Sequence, residues 1–142
     1  MNIPVFKPLI DKKTINAAVK SLNIGWLGMG RSVDEFEKKI KSICNLNDRH
    51  VVTVNTGYSA IHTALILMNI GKNDEVITTP FTFIATVGSI VTAGAKPVFV
   101  DIKEDYNIDE NKIESAITKK TKAIMPVHWA GRPCNLEKIK LI

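Results

Sequence analysis

The chain has little of what marks secreted, disulfide-bonded or membrane proteins. Its 142 residues include two cysteines, too few for a disulfide framework. The longest weakly polar run covers residues 84–95, whereas a membrane-spanning helix needs about 20 apolar residues. The amino terminus lacks a charged segment followed by an apolar stretch and a cleavage site, so no signal peptide is predicted. We therefore expect a cytoplasmic protein with no membrane segment.

Basic residues are in excess, but they are dispersed. There are 19 Lys and Arg against 14 Asp and Glu, which gives a net charge of +5. Most of the basic residues are lysines in scattered pairs, whereas nucleic-acid sites cluster Arg and Lys with aromatic residues. We interpret this charge as a solvated surface, with no nucleic-acid partner. The three His and two Cys show no metal-ligand spacing, so no metal site is predicted.

Strand and helix patterns alternate along the chain. Short apolar runs predict strands at residues 51–55, 76–79, 97–101 and 123–127. Helices are predicted between them, including one over residues 83–92, and Asp109 has the position of a helix cap. Earlier in the chain, Thr14 is expected to cap a first helix, and Ser32 with Glu35 reads as a capping box. Short strands that are apolar on both faces indicate an α/β fold with a mostly parallel sheet between two helical layers.

The last residues predict the start of a helix that has no strand after it. Asn135 is expected to cap this helix, and an apolar stripe runs from there to Ile142. We interpret residues 1–142 as a single incomplete domain that belongs to a larger fold or is completed by a partner chain. Residues 1–30 are expected to form an N-terminal helix and loop segment, and residues 31–142 to form part of the main α/β domain.

The segment Asn55-Thr56-Gly57-Tyr58-Ser59 lies between a predicted strand and a predicted helix. In open α/β folds this is the edge of the sheet where ligands bind. Gly57 allows close approach of an anion, and the first-turn amides with the hydroxyls of Thr56 and Ser59 can hold a phosphate. A plain helix cap explains the same residues, and from this segment alone both interpretations stay open.

Two further segments follow predicted strands at the same edge. In Pro80-Phe81-Thr82-Phe83 an aromatic ring can stack on a flat cofactor, although a core position is the preferred interpretation of Phe81. In the segment 126–131, His128 can bind a ligand, but a structural histidine is the simpler interpretation. The sequence alone shows no paired nucleophile and base.

Four segments together carry a family resemblance. They read GWLGMGRSVDEFEKK, VNTGYSAIHTAL, GKNDEVITTPFTFIATVGSIVTAGAKPVFVDI and ITKKTKAIMPVHWAGRPCNL. In this order they resemble the N-terminal part of the DegT/DnrJ/EryC1/StrS sugar aminotransferases, over nearly the whole chain. The resemblance implies part of the large domain of the aspartate-aminotransferase fold, which is fold type I of the pyridoxal-phosphate (PLP) enzymes.

The resemblance also implies an activity and a set of site residues. Family members are dimers that move an amino group, usually from glutamate, to a nucleotide-linked keto-sugar, as in polysaccharide biosynthesis. By resemblance the residues that contact PLP are Thr56, Gly57, Tyr58, Phe83 and His128. By the same resemblance Gly25, Trp26 and Leu27 lie near the sugar of the substrate.

The sequence also departs from the family pattern. Tyr58 replaces a small hydroxyl residue of the family turn, and Gly88 stands where Asn is common. The resemblance places the Schiff-base lysine, and the acid that protonates the pyridine nitrogen, beyond Ile142. No catalytic residue is therefore assigned here, and these residues alone are expected to be inactive.

Two other functions compete with this interpretation. One is a non-catalytic module that binds a phosphorylated ligand or drives dimerisation. The other is a Rossmann-type nucleotide binder, which the missing GxGxxG motif disfavours.

Overall fold

The structure is a computed structural model that describes residue 4 and residues 7–142. It divides into two compact units, Met1–Thr53 and Val54–Ile142. The predicted division into segments 1–30 and 31–142 of one incomplete domain stays a prediction. Among the described residues, no helix is both long and apolar enough to cross a membrane.

The first unit contains two helices, α1 (Lys12–Ile24) and α2 (Arg31–Ile43). Asp11 caps α1 by accepting the Thr14 amide at 2.8 Å, so the prediction of Thr14 as the cap is wrong. The capping box is also wrong, because α2 begins after Gly30 and Ser32 already lies in its first turn. The carboxylate of Glu35 instead pairs with Arg31 at 2.9 Å.

The second unit alternates helices with short strands. Its elements, in chain order, are α3 (Gly57–Leu67), β1 (Glu75–Thr78), α4 (Ile84–Thr92), β2 (Lys96–Phe99), α5 (Glu110–Ala116), β3 (Thr121–Met125), a 3-10 turn (Trp129–Gly131) and α6 (Leu136–Ile139). The side chains of Asp109 and Asn135 accept amides of the first turns of α5 and α6, which confirms both predicted caps.

The three strands form one parallel sheet in the order β2-β1-β3. The central strand β1 is buried along its whole length. Its last residue, Thr78, is opposite Phe99 of β2 and Met125 of β3, and its hydroxyl donates to the Met125 carbonyl at 2.9 Å. The carboxyl ends of the strands thus lie at one edge of the sheet, as predicted.

Residues 51–55 do not form the predicted strand. The amide and hydroxyl of Thr53 both donate to the Glu37 carboxylate, at 2.7 and 2.9 Å, instead of to a neighbouring strand. Val52 and Val54 are exposed. A β-branched run becomes a strand only where another strand supplies backbone partners, and within the described residues none pairs with this segment.

The core of the second unit lies on both faces of the sheet. Val76 packs in a cluster with Leu65 of α3 and Ile90 of α4. Its neighbour Ile77 packs in a second cluster with Ile113 of α5. Because successive strand residues point to opposite faces, helices cover the sheet from both sides, which confirms the predicted three-layer α/β architecture.

Candidate functional site

The first helical turn of α3 has the geometry of an anion site. Thr56 is its cap, with extended backbone, and its hydroxyl accepts the Ser59 amide at 3.1 Å. The Ala60 amide is taken by the Thr56 carbonyl. Helix geometry leaves the amides of Gly57 and Tyr58 without an acceptor inside the helix, and the helix dipole makes this end positive.

Gly57 leaves open space beside these amides. A Cβ built on Gly57 meets no heavy atom within 4 Å. The hydroxyls around it form a chain in which Thr56 donates to Ser59, and Ser59 donates to the Asn55 carboxamide at 2.8 Å. This chain fixes the loop before the helix, so the backbone amides are preorganised, while the Thr56 hydroxyl donates its proton to Ser59. The residues present therefore fit a phosphate group.

The side chain of Tyr58 does not complete the anion site. Its hydroxyl lies 3.2 Å from the Gly88 carbonyl and also pairs with the Thr92 hydroxyl, both on α4. Its ring is stacked with His62 at 6.3 Å between centroids. In this structure Tyr58 therefore joins α3 to α4, and only its backbone amide is placed to serve an anion.

Phe83 is the residue immediately before α4, and its side chain is 78% exposed. The adjacent hydroxyls of Thr82 and Thr86 bond to each other at 2.8 Å and hold the start of α4 in place. An exposed phenyl ring on a fixed backbone is suited to stack on a flat ligand ring.

His128 follows β3 and faces the same cavity as Phe83. The cavity has a volume of about 430 Å³ and is lined by Pro80, Phe81, Thr82, Phe83, Val127, His128, Trp129 and Ala130. The Nδ1 atom of His128 accepts the Cys134 amide at 3.1 Å. A neutral imidazole with Nδ1 as acceptor carries its proton on Nε2, so His128 offers one donor.

Cys134 supports this loop and is not a reactive thiol. Its Sγ donates to the Val127 carbonyl at 3.1 Å, and burial raises the pKa of the thiol. Since the thiolate is the nucleophile, a raised pKa leaves little of the reactive form. In the described part of the chain, no group of His, Cys, Asp and Glu is arranged to hold a metal ion.

Gly25, Trp26 and Leu27 lie in the first unit, in the predicted loop after α1. Gly25 ends the helix with a φ of 73°, and the Trp26 indole donates to the Met29 carbonyl at 2.8 Å. The indole lies against Gly30, where an added Cβ would come within 2.5 Å of it. Leu27 is exposed. This loop borders a cavity of about 560 Å³.

Sequence analysis missed two residues beside the cavity of His128. Asn107 is fully buried, and its side chain bonds to the loop that follows β3. The ring of Tyr106 packs against that of Trp129 in a tilted arrangement, with 4.6 Å between ring centroids. The only local signal is a turn-forming residue, Asn107, two positions before the Asp109 cap, and it does not indicate a role at the cavity.

Comparison with known proteins identifies the family. The sequence profile of the DegT/DnrJ/EryC1/StrS aminotransferase family matches residues 8–142. The chain belongs to this family. It is 42% identical to the spore coat polysaccharide biosynthesis protein SpsC of Bacillus subtilis over 96% of its length, and 38% identical to the GDP-perosamine synthase of Caulobacter vibrioides, also over 96%. The chain spans only 35% and 37% of these relatives.

Solved structures agree with the family and the fold. Spr1654 of Streptococcus pneumoniae, described as a sugar aminotransferase, superposes in its PMP form with a TM-score of 0.93 and 33% identity. The match covers 100% of this chain and 36% of Spr1654. Helicobacter pylori PseC, an aminotransferase involved in the biosynthesis of pseudoaminic acid, superposes with a TM-score of 0.84 and 33% identity, over 94% of this chain and 36% of PseC. The predicted family and fold type are thereby confirmed.

Proposed function

We propose that this chain forms the part of a nucleotide-sugar aminotransferase that binds the PLP phosphate and stacks on the PLP ring. The whole protein would take an amino group from glutamate and transfer it to a nucleotide-linked keto-sugar. The observation that carries the proposal is the open, amide-lined turn at Gly57 in a chain of this family. Spr1654, which superposes on this chain, is known in a PLP form as well as a PMP form.

Each assigned residue has a role that its surroundings allow. The amides of Gly57 and Tyr58 bind the phosphate, helped by the positive end of α3. The Thr56 hydroxyl joins them by turning its proton from Ser59 to the phosphate, while it keeps the Ser59 amide as its donor. Phe83 stacks on the ring of the cofactor, and the Nε2 proton of His128 is offered to an acceptor in the same cavity. When bound, PLP supplies the electron sink for amino transfer.

The loop of the first unit has the role of a substrate contact in this proposal. Gly25, Trp26 and Leu27 are assigned to the sugar of the substrate. Trp26 offers the largest surface of the three, and its hydrogen bond to Met29 fixes the ring. No lysine of this chain is assigned as the covalent anchor of PLP, so these 142 residues are expected to bind PLP without a covalent bond.

The test is to titrate the chain with PLP and follow the phosphate by ³¹P NMR. Gly57→Ala fills the open space beside the amides. We expect it to weaken binding about tenfold, because an anion loses a charge-assisted hydrogen bond, while helix propensity keeps the fold intact. The matched control is Gly71→Ala, which lies away from the turn, and its added Cβ makes an ordinary contact at 3.5 Å.

Equal PLP affinity in the two glycine variants would contradict the phosphate assignment. The covalent part is tested separately, by adding borohydride to the chain with PLP and measuring the mass. We expect only scattered, substoichiometric adducts on exposed lysines, since PLP is an aldehyde that reacts with any accessible amine. One stoichiometric adduct on a single lysine, formed at a PLP concentration equal to that of the chain, would show that the anchor is among its residues.

A further inference from the structure

Three aromatic side chains that have no assigned role meet next to the cavity of Phe83 and His128. The rings of Tyr106 and Trp129 are 4.6 Å apart, those of Phe81 and Tyr106 5.6 Å, and those of Phe81 and Trp129 6.0 Å between centroids. All three side chains are partly exposed: Tyr106 to 47%, Phe81 to 44% and Trp129 to 37%. We name this surface the aromatic wall.

The aromatic wall is held in place by a buried asparagine. Asn107 is only 1% exposed. Its carboxamide oxygen accepts the Trp129 amide at 3.0 Å, and its nitrogen donates to the carbonyls of Arg132 and Pro133 at 3.3 Å. These bonds tie the turn that carries Tyr106 to the loop that carries Trp129. Tyr106 keeps a φ of 64°, a region that bulky side chains rarely occupy without such support.

The wall is continuous with the candidate site. Phe81 and Trp129 line the same cavity as Phe83 and His128. Its volume of about 430 Å³ is in the range of small-molecule sites. A ligand that rests on the wall therefore lies in the same cavity as the ring to which the proposed function assigns the cofactor.

We propose that the aromatic wall binds the sugar ring of the substrate through its C–H face. This inference rests on the proposed function, since the carbon that receives the amino group must reach the cofactor and belongs to the sugar. The C–H bonds of a pyranose are weakly positive and favour the negative face of an aromatic ring. The half-exposed rings leave the sugar hydroxyls at the rim hydrated.

The polar groups around the cavity favour this occupant over a deeply buried polar ligand. The Thr82 hydroxyl is already bonded to Thr86, and Nδ1 of His128 accepts the Cys134 amide. The polar groups that the lining offers a ligand are therefore few, namely Nε2 of His128 and the Trp129 indole. A ligand whose hydroxyls all turned inward would leave them without partners, which is unfavourable. A ring that rests flat, with its hydroxyls outward, avoids that loss.

Saturation-transfer NMR on the full, unmodified chain tests the proposal without any substitution. The probes are methyl α-D-mannopyranoside, GDP and GDP-mannose, with irradiation of the methyl protons of the protein, where none of the three ligands has a signal. We expect saturation of the sugar ring protons in methyl mannoside and GDP-mannose, stronger than at the guanine proton. Saturation of guanine alone, or of neither group, would overturn the proposal.

A pair of variants then assigns the contact to the wall. Trp129→Leu removes one ring of the wall and is expected to weaken methyl mannoside binding about five- to tenfold. Phe99→Leu is the matched control, because Phe99 is also about half exposed but does not line the cavity. Equal affinities in the two variants would refute the wall as the contact.

The outcomes separate this inference from the proposed function. If PLP binding depends on Gly57 but the sugar protons show no saturation, the proposed role of the aromatic wall is rejected and the proposed function stands. If sugar saturation depends on Trp129 but the chain does not bind PLP, sugar binding by the aromatic wall is supported and the proposed function is rejected.

Discussion

At the scale of single residues, Tyr58 and Gly88 are matched to each other. A Cβ on Gly88 would lie 3.3 Å from Cε2 of Tyr58, closer than ordinary contact. The Tyr58 hydroxyl cannot easily move away, because it bonds to the Gly88 carbonyl and the Thr92 hydroxyl. By the resemblance both positions depart from the family pattern, and the absence of a side chain at Gly88 accommodates the large ring of Tyr58.

This pairing predicts a coupling between the two positions. In a helix, Gly→Ala normally stabilises by about 1 kcal/mol. We expect Gly88→Ala to give clearly less than that in the native chain, since the new methyl group displaces the Tyr58 ring. In a Tyr58→Ala background the full gain should appear. Urea unfolding of the four proteins measures the difference, and equal effects of Gly88→Ala in both backgrounds would rule out the pairing.

Sequence could predict which residues line the candidate cavity better than it could predict their exposure. Phe83 and His128 do line one cavity, but Phe81, interpreted as a core residue, is 44% exposed beside them. The side chain of an apolar residue after a strand can point into the core or towards solvent, and the spacing of apolar residues in the sequence does not decide between the two. The role of Tyr106 and Asn107 could not be predicted from the sequence, because it depends on contacts with residues more than 20 positions away along the chain.

At the scale of elements, the start of α5 is fixed by an ion pair. Lys103 Nζ lies 2.7 Å from the Glu110 carboxylate, and the Glu110 side chain is buried while that of Lys103 is partly exposed. The hydrogen bond from Lys103 lowers the pKa of Glu110 below its usual 4.5. The same bond raises the pKa of Lys103 above its usual 10.5. Folding therefore favours the charged form of each group.

The pair predicts how stability depends on pH. Because the pKa of Glu110 is lowered on folding, its contribution is complete above pH 4.5 and is lost as the pH falls through the lowered value. The contribution of Lys103 is complete below pH 10.5 and is lost as the pH rises above it. We expect Glu110→Gln to reduce the free energy of unfolding by about 1 kcal/mol at neutral pH and to flatten its decline in acid.

The matched control is Glu114→Gln on the exposed face of the same helix, which should change stability by less than about 0.5 kcal/mol. Urea unfolding between pH 3 and pH 7 measures both variants. An unchanged acid slope in Glu110→Gln would show that this pair does not control the start of α5.

The sequence predicts best those features of helices and strands that depend only on neighbouring residues, such as helix caps. The caps at Asp109 and Asn135 are confirmed because an Asx side chain before a helical pattern satisfies its own first turn. Asp11 was overlooked because Thr14, three positions later, also has a capping side chain. Of the four expected strands, the three that pair with one another are present, at 75–78, 96–99 and 121–125. The segment 51–55 has the right residues, but its pairing is not a local property.

At the scale of the whole molecule, the two units differ in how much they bury. The buried apolar residues of the described chain all lie between Leu65 and Cys134, in the second unit. The helices α1 and α2 have no buried residue. They expose apolar side chains instead, among them Ile15, Val19, Leu22, Phe36 and Ile43. Helices of 13 residues are marginal in water unless an apolar face is covered.

The resemblance implies a dimer, and a second copy of the chain would cover the exposed apolar faces of α1 and α2. Helix content should then depend on protein concentration. We expect a dimer in sedimentation at tens of micromolar, a range suited to ordinary interfaces. Dilution should lower the dimer fraction and the circular dichroism at 222 nm together, because α1 and α2 lose their cover while the second unit keeps its core. Replacing both Val19 and Leu22 with Ser should weaken association, whereas Lys13→Ser and Lys20→Ser together should not. A monomer whose helix content is constant over the same range would show that these helices need no partner chain.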